Sequence, residues 1–390
     1  MSSGPTSDRP SALETLRSAA RAPAEYARSW KQRTGRPVLG TFCSYVPEEA
    51  VIAAGALPFR ILDVPGEFGA ADPRLQAYAC CLARGALALG SSGGLAFLDG
   101  VIFSNTCDTM QCLSDIWSAN VCGGSPGDVE TFMMPIHVGH AAARDYLLAE
   151  IERLVASLGA RVGTSVEPAA LGRAVADCRT ARVALARLLE VQQGPSPVLT
   201  PPQYYDTTMA RCVLPPDEYT SSTTVVLDDP QPLDRVGPRI VIAGGPMYAP
   251  VLPDLLAELG ACWVADDLCT GHRAAAPGPA PGDDPVAAIA DGLLSRPQCP
   301  AKHRTGHDPG RAVVERARQA AADGVILYRL KFCDPHAFDY PRIKEALDAA
   351  GLPSLLIEVE TPAGSVGQLR TRLQAFLEML ADAGVSEVCT

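Results

Sequence analysis

No stretch of this 390-residue chain holds the roughly 18 consecutive apolar residues that a membrane-spanning helix needs. Basic residues are also outnumbered. The 33 Lys and Arg stand against 44 Asp and Glu, giving a net charge of −11 and a pI near 5.1. A chain this acidic is a poor match for nucleic acid or an anionic membrane surface, because both reward Lys and Arg. The opening segment MSSGPTSDRPSALETLRSAARAPAEY lacks the apolar core of a signal peptide and carries acids early. A soluble cytoplasmic protein is therefore expected, with no nucleic-acid or membrane partner. There is no short-period repeat, and no GxxxxGK[ST] loop to cradle a nucleotide phosphate.

What is present is an ordinary globular balance, with 47% hydrophobic and 20% charged residues. The length suits two or three domains with sizeable cores. The 13 cysteines are the unusual feature. Their count is odd and export is not indicated, so a disulfide framework is not expected.

The pattern along the chain predicts a helical N-terminal segment over 1–40 and a first α/β domain over 41–140. A helical and irregular connecting segment follows over 141–237, then a second α/β domain over 238–390. In the first α/β unit, RPVLGTFCSYVP (36–47) reads as a strand entering a turn. PEEAVIAAGAL (47–57) reads as a helix whose Glu48 and Glu49 suit the N-terminal end of its dipole. PFRILDV, LDGVIFSNT and TFMMPIHV read as further strands, and YACCLARGALALG as a helix. Residues 141–192 have apolar positions at helical spacing, and 194–237 read as irregular connection. The alternation restarts with RIVIAGG and runs through CWVADDL, GVILYRLKF and SLLIEVE, with helices between. Strands alternating with helices argue for two parallel, Rossmann-like sheets.

Cys43, Cys107 and Cys333 each follow a predicted strand, where open parallel sheets bind ligands. Cys80 opens a predicted helix, whose free N–H groups favour a thiolate. Cys178 and Cys389 read as incidental thiols. Cys80, Cys107 and Cys333 lack CxxC spacing, so spacing leaves both a shared metal site and separate core thiols open. Thiolates suit iron–sulfur clusters and zinc alike. The six histidines, at 137, 140, 272, 303, 307 and 336, do not decide between them.

Six segments carry a resemblance. They are FCSYVPEEAVIAAGALPFRI (42–61), ACCLARGAL (79–87), FLDGVIFSNTCDTMQCLSDIW (97–117), GACWVADDLCTGHR (260–273), LKFCDPHAFDYPRIKEAL (330–347) and GQLRTRLQAFLEML (367–380). In this order they resemble the homologous subunits of 2-hydroxyacyl-CoA dehydratases and benzoyl-CoA reductases. The resemblance implies one [4Fe–4S] cluster held between two α/β domains by Cys80, Cys107 and Cys333, with adjacent Cys81 as the alternative to Cys80. It implies a paralogous second subunit and a separate ATP-dependent iron–sulfur activator. The implied substrate is an acyl-CoA whose thioester carbonyl becomes a ketyl radical anion, losing water in dehydratases or leading to ring reduction in benzoyl-CoA reductases. Ser44 is the catalytic candidate, a hydroxyl at a strand end that can hydrogen-bond the thioester oxygen. Its alternative is a turn-stabilising role. Asp266, Asp267 and Arg273 read as a loop anchor, and Arg84 as a helix cap or a counter-charge to the cluster. The additional thiols Cys43, Cys112 and Cys269 leave room for a double-cubane cluster, as found in relatives that reduce small molecules.

Overall fold

The computed structural model describes residues 8–388 apart from 63–67, 70, 72, 122–128, 235–236, 281 and 361–365, with side chains through residue 382. Cys122 and Cys389 lie outside the described residues. Helices α1 (Arg9–Arg21) and α2 (Pro23–Thr34) lead into β1 (Val38–Phe42), α3 (Glu48–Ala53), β2 (Leu57–Arg60), α4 (Cys81–Ser91), β3 (Gly100–Ser104), α5 (Asp108–Asn120) and β4 (Val129–Phe132). Four helices follow: α6 (Ala143–Val162), α7 (Pro168–Gln193), α8 (Pro201–Ala210) and α9 (Pro216–Asp228). The second unit comprises β5 (Arg239–Gly244), α10 (Val251–Glu258), β6 (Cys262–Asp267), α11 (Pro285–Ser295), α12 (Pro309–Gln319), β7 (Gly324–Leu330), α13 (Asp334–Ala349), β8 (Ser354–Val359) and α14 (Val366–Val388).

The strands form two four-stranded sheets, ordered β2-β1-β3-β4 and β6-β5-β7-β8, and every pairing is parallel. The order is the same in both units. In each, the connections leave the first strand in opposite directions, so the switch points lie between β1 and β3 and between β5 and β7. The apolar strand runs are explained by burial on both faces. Successive side chains alternate between faces. Ile240, Ile242, Ile326 and Tyr328 join a core continuous with that of the first sheet, while Val241, Ala243, Val325 and Leu327 pack against α12 and α13. In the first sheet, Phe42 and Phe103 face α5, with Trp117 edge-on to both rings, and Leu39 and Ile102 face the opposite way.

Three differences from the sequence reading have physical causes. The segment 194–237 is not irregular, because α8 and α9 lie within it. Thr200 and Gln203 form a reciprocal cap at the start of α8. The β-branched run in α9, poor in helix propensity, is held by packing on α7 and α1. The fourth strand begins at Val129 and ends at Phe132, because the next amide, that of Met133, donates to the Glu150 carboxylate and leaves the sheet. The stretch after the Pro/Gly-rich loop forms α11, which packs on α6 and α7. No helix among the described residues is long and apolar enough to cross a membrane.

Buried polar side chains hold the two units together. Gln192, fully buried on α7, donates to the carbonyls of Leu199 and Trp263 and accepts from the amides of Val198 and Leu199. Arg9 donates to the carbonyls of Val198, Val226 and Asp229. On α7 Arg182 donates to Glu48 and Glu49, and Arg211, just past α8, donates to Glu48. These ion pairs fix α3, and with it the end of β1, against the helical layer.

Two outcomes follow from this packing. Gly244 has φ +139°, and a Cβ there would stand 1.9 Å from the Tyr328 carbonyl oxygen. Gly244→Ala should lower stability by about 3 kcal/mol or more, read from the urea midpoint. An unchanged midpoint contradicts the close approach of β5 and β7. For Glu48, burial raises the pKa, but Arg211 and Arg182 outweigh it and hold the carboxyl well below its ordinary 4.5. A depressed folded-state pKa contributes stability that is present above the unfolded value and lost as the pH falls below it. Glu48→Gln should therefore cost about 2 kcal/mol at neutral pH, with the difference shrinking as pH drops below 4.5. A pH-independent difference would show that the ion pair does not contribute in this way.

Candidate metal centre

Cys80, Cys107 and Cys333 share one local geometry. Each is the N-cap residue of a helix, of α4, α5 and α13 respectively. Cys80 and Cys107 have extended backbone before the helix begins, with φ, ψ of −62°, 152° and −150°, 166°. The side chain of an N-cap residue turns towards the unpaired amides of the first helical turn. The amides of Ala83 and Leu82 act on the Cys80 thiol, those of Met110 and Thr109 on Cys107, and that of His336 on Cys333. Cys107 and Cys333 follow β3 and β7, the strands on the far side of each switch point, and so approach from different sheets.

The three thiols lie within electrostatic reach of one another: Cys80 acts on Cys107, and both Cys80 and Cys107 act on Cys333. None is in a disulfide. Burial pushes Cys80 and Cys107 up to about 11, and Cys333 well above the ordinary thiol range. Neighbouring Cys81 points elsewhere. Its Sγ lies 3.6 Å from the Tyr248 hydroxyl and 3.9 Å from the Val359 carbonyl oxygen. The donor set suits a thiophilic centre: three soft sulfurs, each at the positive end of a helix dipole, in a buried space.

The backbone around this space is strained. Cys43, directly after β1, has φ +74°, and Phe332, two residues past the end of β7, has φ +62°. Non-glycine residues rarely occupy this region, and such strain gathers at functional sites. Other groups converge here, and of these only Cys43 was singled out in the sequence. His336 places Nδ1 3.3 Å from the Cys333 sulfur. Cys299 acts on Cys333, and Cys43 on Cys107. Lys302 is 3% exposed and donates to the carbonyls of Asn105 (3.1 Å) and Met134 (3.0 Å). Burial lowers its pKa, while Cys43, Cys299 and Cys107 act in the other direction. Cys299 and Lys302 sit in RPQCPAKH, a proline-flanked loop with no periodicity to mark it. The one signal it offered was a cysteine between two prolines.

Past His336, which stands between it and the Cys333 sulfur, lies a cavity of about 360 Å³, between the C-terminal ends of β5 and β7, α12, α13 and the loop after α11. His336 forms part of its wall, with Arg273, Arg296, Arg304, Arg316 and Arg329. Arg273 makes a paired contact with Asp267 at 2.8 and 2.7 Å, and its remaining buried Nη1 has no partner among the described residues. Asp266 accepts from the amides of Leu268 and His272 and from the Tyr204 hydroxyl, which pins the loop after β6. Arg84 lies over the Phe68 ring and pairs with Glu360 at 3.8 Å.

The other sequence candidates fall as follows. Ser44 follows Cys43 at the end of β1, and its carbonyl accepts from Arg296. It lines a second, smaller cavity rather than the large one. Of the additional thiols, Cys112 is exposed on α5, while Cys43 and Cys269 lie around the guanidinium of Arg60. His137 and His303 pack edge to face with centroids 4.7 Å apart, on an isolated bridge between their segments. Glu48, Glu49 and Cys178 bring ligand-type atoms within 4.8 Å of one another. The guanidiniums of Arg182 and Arg211 already neutralise that group.

Known proteins resemble this chain over nearly its whole length. Residues 43–380 match the family described as 2-hydroxyglutaryl-CoA dehydratase, D-component. The chain is 30% identical over 375 residues to the lactoyl-CoA dehydratase subunit beta of Anaerotignum propionicum, covering 94% of this chain and 98% of that protein. It is 24% identical to the (R)-phenyllactyl-CoA dehydratase beta subunit of Clostridium sporogenes, covering 92% and 96%. It is 25% identical to one of the benzoyl-CoA reductase subunits of Thauera aromatica, covering 91% and 94%. The family match begins directly after β1 and runs into α14, and on that extent the chain belongs to the 2-hydroxyacyl-CoA dehydratase D-component and benzoyl-CoA reductase family.

Proposed function

We propose that this chain is the beta-type subunit of a 2-hydroxyacyl-CoA dehydratase and holds one [4Fe–4S] cluster through Cys80, Cys107 and Cys333. The observation that carries the reading is the convergence of these thiols at three helix N-termini beside an arginine-lined cavity. Three protein ligands leave one iron without a thiolate, as an open catalytic site requires. When bound, such a cluster supplies one-electron transfer at low potential.

The protein's own groups have separate tasks. Arg304 and Arg316 offer the cavity's positive charge to the phosphates of coenzyme A, the ligand chemistry for which guanidinium is best suited; Arg329 is already paired with Glu358. Ser44 donates its hydroxyl to the thioester oxygen, where negative charge grows when an electron is added. The net reaction eliminates water and returns the electron. Adding that electron to a thioester carbonyl is far uphill of ordinary donors, so a separate ATP-driven activator is required. The enzyme is completed by a second, related polypeptide, a reading supported by the naming of the relatives as beta subunits.

Protein purified without oxygen should carry about four irons and four sulfides per chain. Cys80→Ala should lose them and Cys81→Ala keep them, because the Cys81 sulfur lies against the Tyr248 hydroxyl and the Val359 carbonyl instead. One zinc per chain and no charge-transfer absorption would sink the assignment. About eight irons would favour a double-cubane centre.

Activity should appear only with the second subunit, the activator, ATP and a strong reductant, and electrons should not be consumed per molecule of enoyl product. Counting electrons against product checks this. Two electrons per aromatic thioester would assign the chain to ring reduction instead. Dehydration by the isolated chain in air would overturn the radical route.

A further inference from the structure

The three candidate ligands are alike as helix caps, but their amide donors differ. Cys80 is met by the amides of Leu82 and Ala83, the second and third residues of α4. Cys107 is met by those of Thr109 and Met110, the second and third residues of α5. In α13 the second residue is Pro335, which has no N–H to give. Of this pair only the third residue, His336, meets Cys333 with its amide.

The missing donor has a replacement. His336 places its ring Nδ1 3.3 Å from the Cys333 sulfur, a normal separation between a nitrogen donor and an atom as large as sulfur. One residue thus meets the sulfur twice, through its backbone and through its ring. The ring is seated from the neighbouring strand. It lies against Gly245, directly after β5, where a Cβ would stand 3.9 Å from its Cε1 and Nδ1, and the Gly244 backbone also acts on it. Its Nε2 is buried and has no hydrogen-bond partner among the described residues. A neutral imidazole carries one hydrogen, on one nitrogen or the other. A metal-bound thiolate can only accept, so against it Nδ1 is the nitrogen that carries the hydrogen.

Hydrogen bonds to ligand sulfurs are among the levers that set a cluster's reduction potential. Reduction adds negative charge to the centre and its sulfurs. A donor interacts more strongly with the more negative state. Each added donor therefore favours reduction, and each lost donor opposes it.

We infer that His336 donates from Nδ1 to the Cys333 sulfur in place of the amide that Pro335 lacks, and thereby raises the reduction potential of the centre bound there. It is a positioning residue, acting through a ligand and not on the substrate. The inference rests on the proposed cluster, and its test separates the two.

The full-length chain, purified without oxygen, is titrated reductively and followed by electron paramagnetic resonance. His336→Leu should lower the potential, shifting the reduction equilibrium about threefold or more, roughly 28 mV for one electron. His336→Asn introduces a side chain of similar size but puts an amide nitrogen where Nδ1 stands, so it should keep most of the wild-type value. Comparing the two cancels the effect of losing the ring. Restoring the backbone donor is an independent check: Pro335→Ala in the His336→Leu protein should bring the potential back up. Equal potentials in the two His336 variants overturn the inference and leave the cluster assignment standing. A wild-type chain without iron overturns both. Should His336→Leu fail to retain iron, Pro335→Ala in the otherwise unaltered chain decides. With a third donor its potential should rise, and an unchanged potential counts against the inference.

Discussion

Everything in this structure depends on bringing sulfur atoms from two sheets into one buried space. A thiol at the end of a strand can reach outward only as far as its side chain allows, so the strand ends of the two sheets must themselves be brought close. The shared strand order gives each unit a switch point at the same place. The helices between the units pack on both, α7 on α3 and on β6. Gln192 and Arg9 matter for this reason. Their hydrogen bonds join α7 and α1 to the segments around 198 and 226, and Gln192 also reaches the Trp263 carbonyl in the second sheet. The N-terminal helices, which supply no candidate ligand, contribute to the site by holding this frame.

The second constraint is charge. Burial holds the thiols protonated, while buried Lys302 and half-buried Arg60 and Arg296 are cations whose hydrogen bonds go to carbonyls or sulfur rather than carboxylates. Such an interior is costly unless negative charge enters it. Both proposed occupants are of that kind: a thiolate-ligated cluster and an anionic acyl thioester. The strained backbone at Cys43 and Phe332 lies on the same rim, where the surrounding packing is tight enough to hold it.

Much of this frame was legible in the sequence. The two parallel sheets could be read from apolar runs such as RIVIAGG and GVILYRLKF, because strands buried on both faces leave so plain a mark. The family was legible from blocks such as NTCD and KFCDP. The strand ends before Cys107 and Cys333 were legible, but the helices that begin directly after these residues were not. Helices α8 and α9 were not legible, since proline, threonine and valine mask helices that are stabilised by tertiary contact. Nor were Cys299, Lys302, Arg60 and Arg296. Their roles come from long-range proximity, Arg60 meeting Cys269 across 209 positions and Arg296 meeting Ser44 across 252. Periodicity carries no information on such pairs.

The central claim is a single cluster held by three cysteines of this chain, and Mössbauer spectroscopy of iron-57-enriched protein prepared without oxygen tests it most directly. The account predicts a four-iron centre in which one iron is distinct from the other three, and a loss of that signal when Cys107 or Cys333 is replaced by alanine. Four equivalent irons, or a spectrum unchanged by both substitutions, would contradict it.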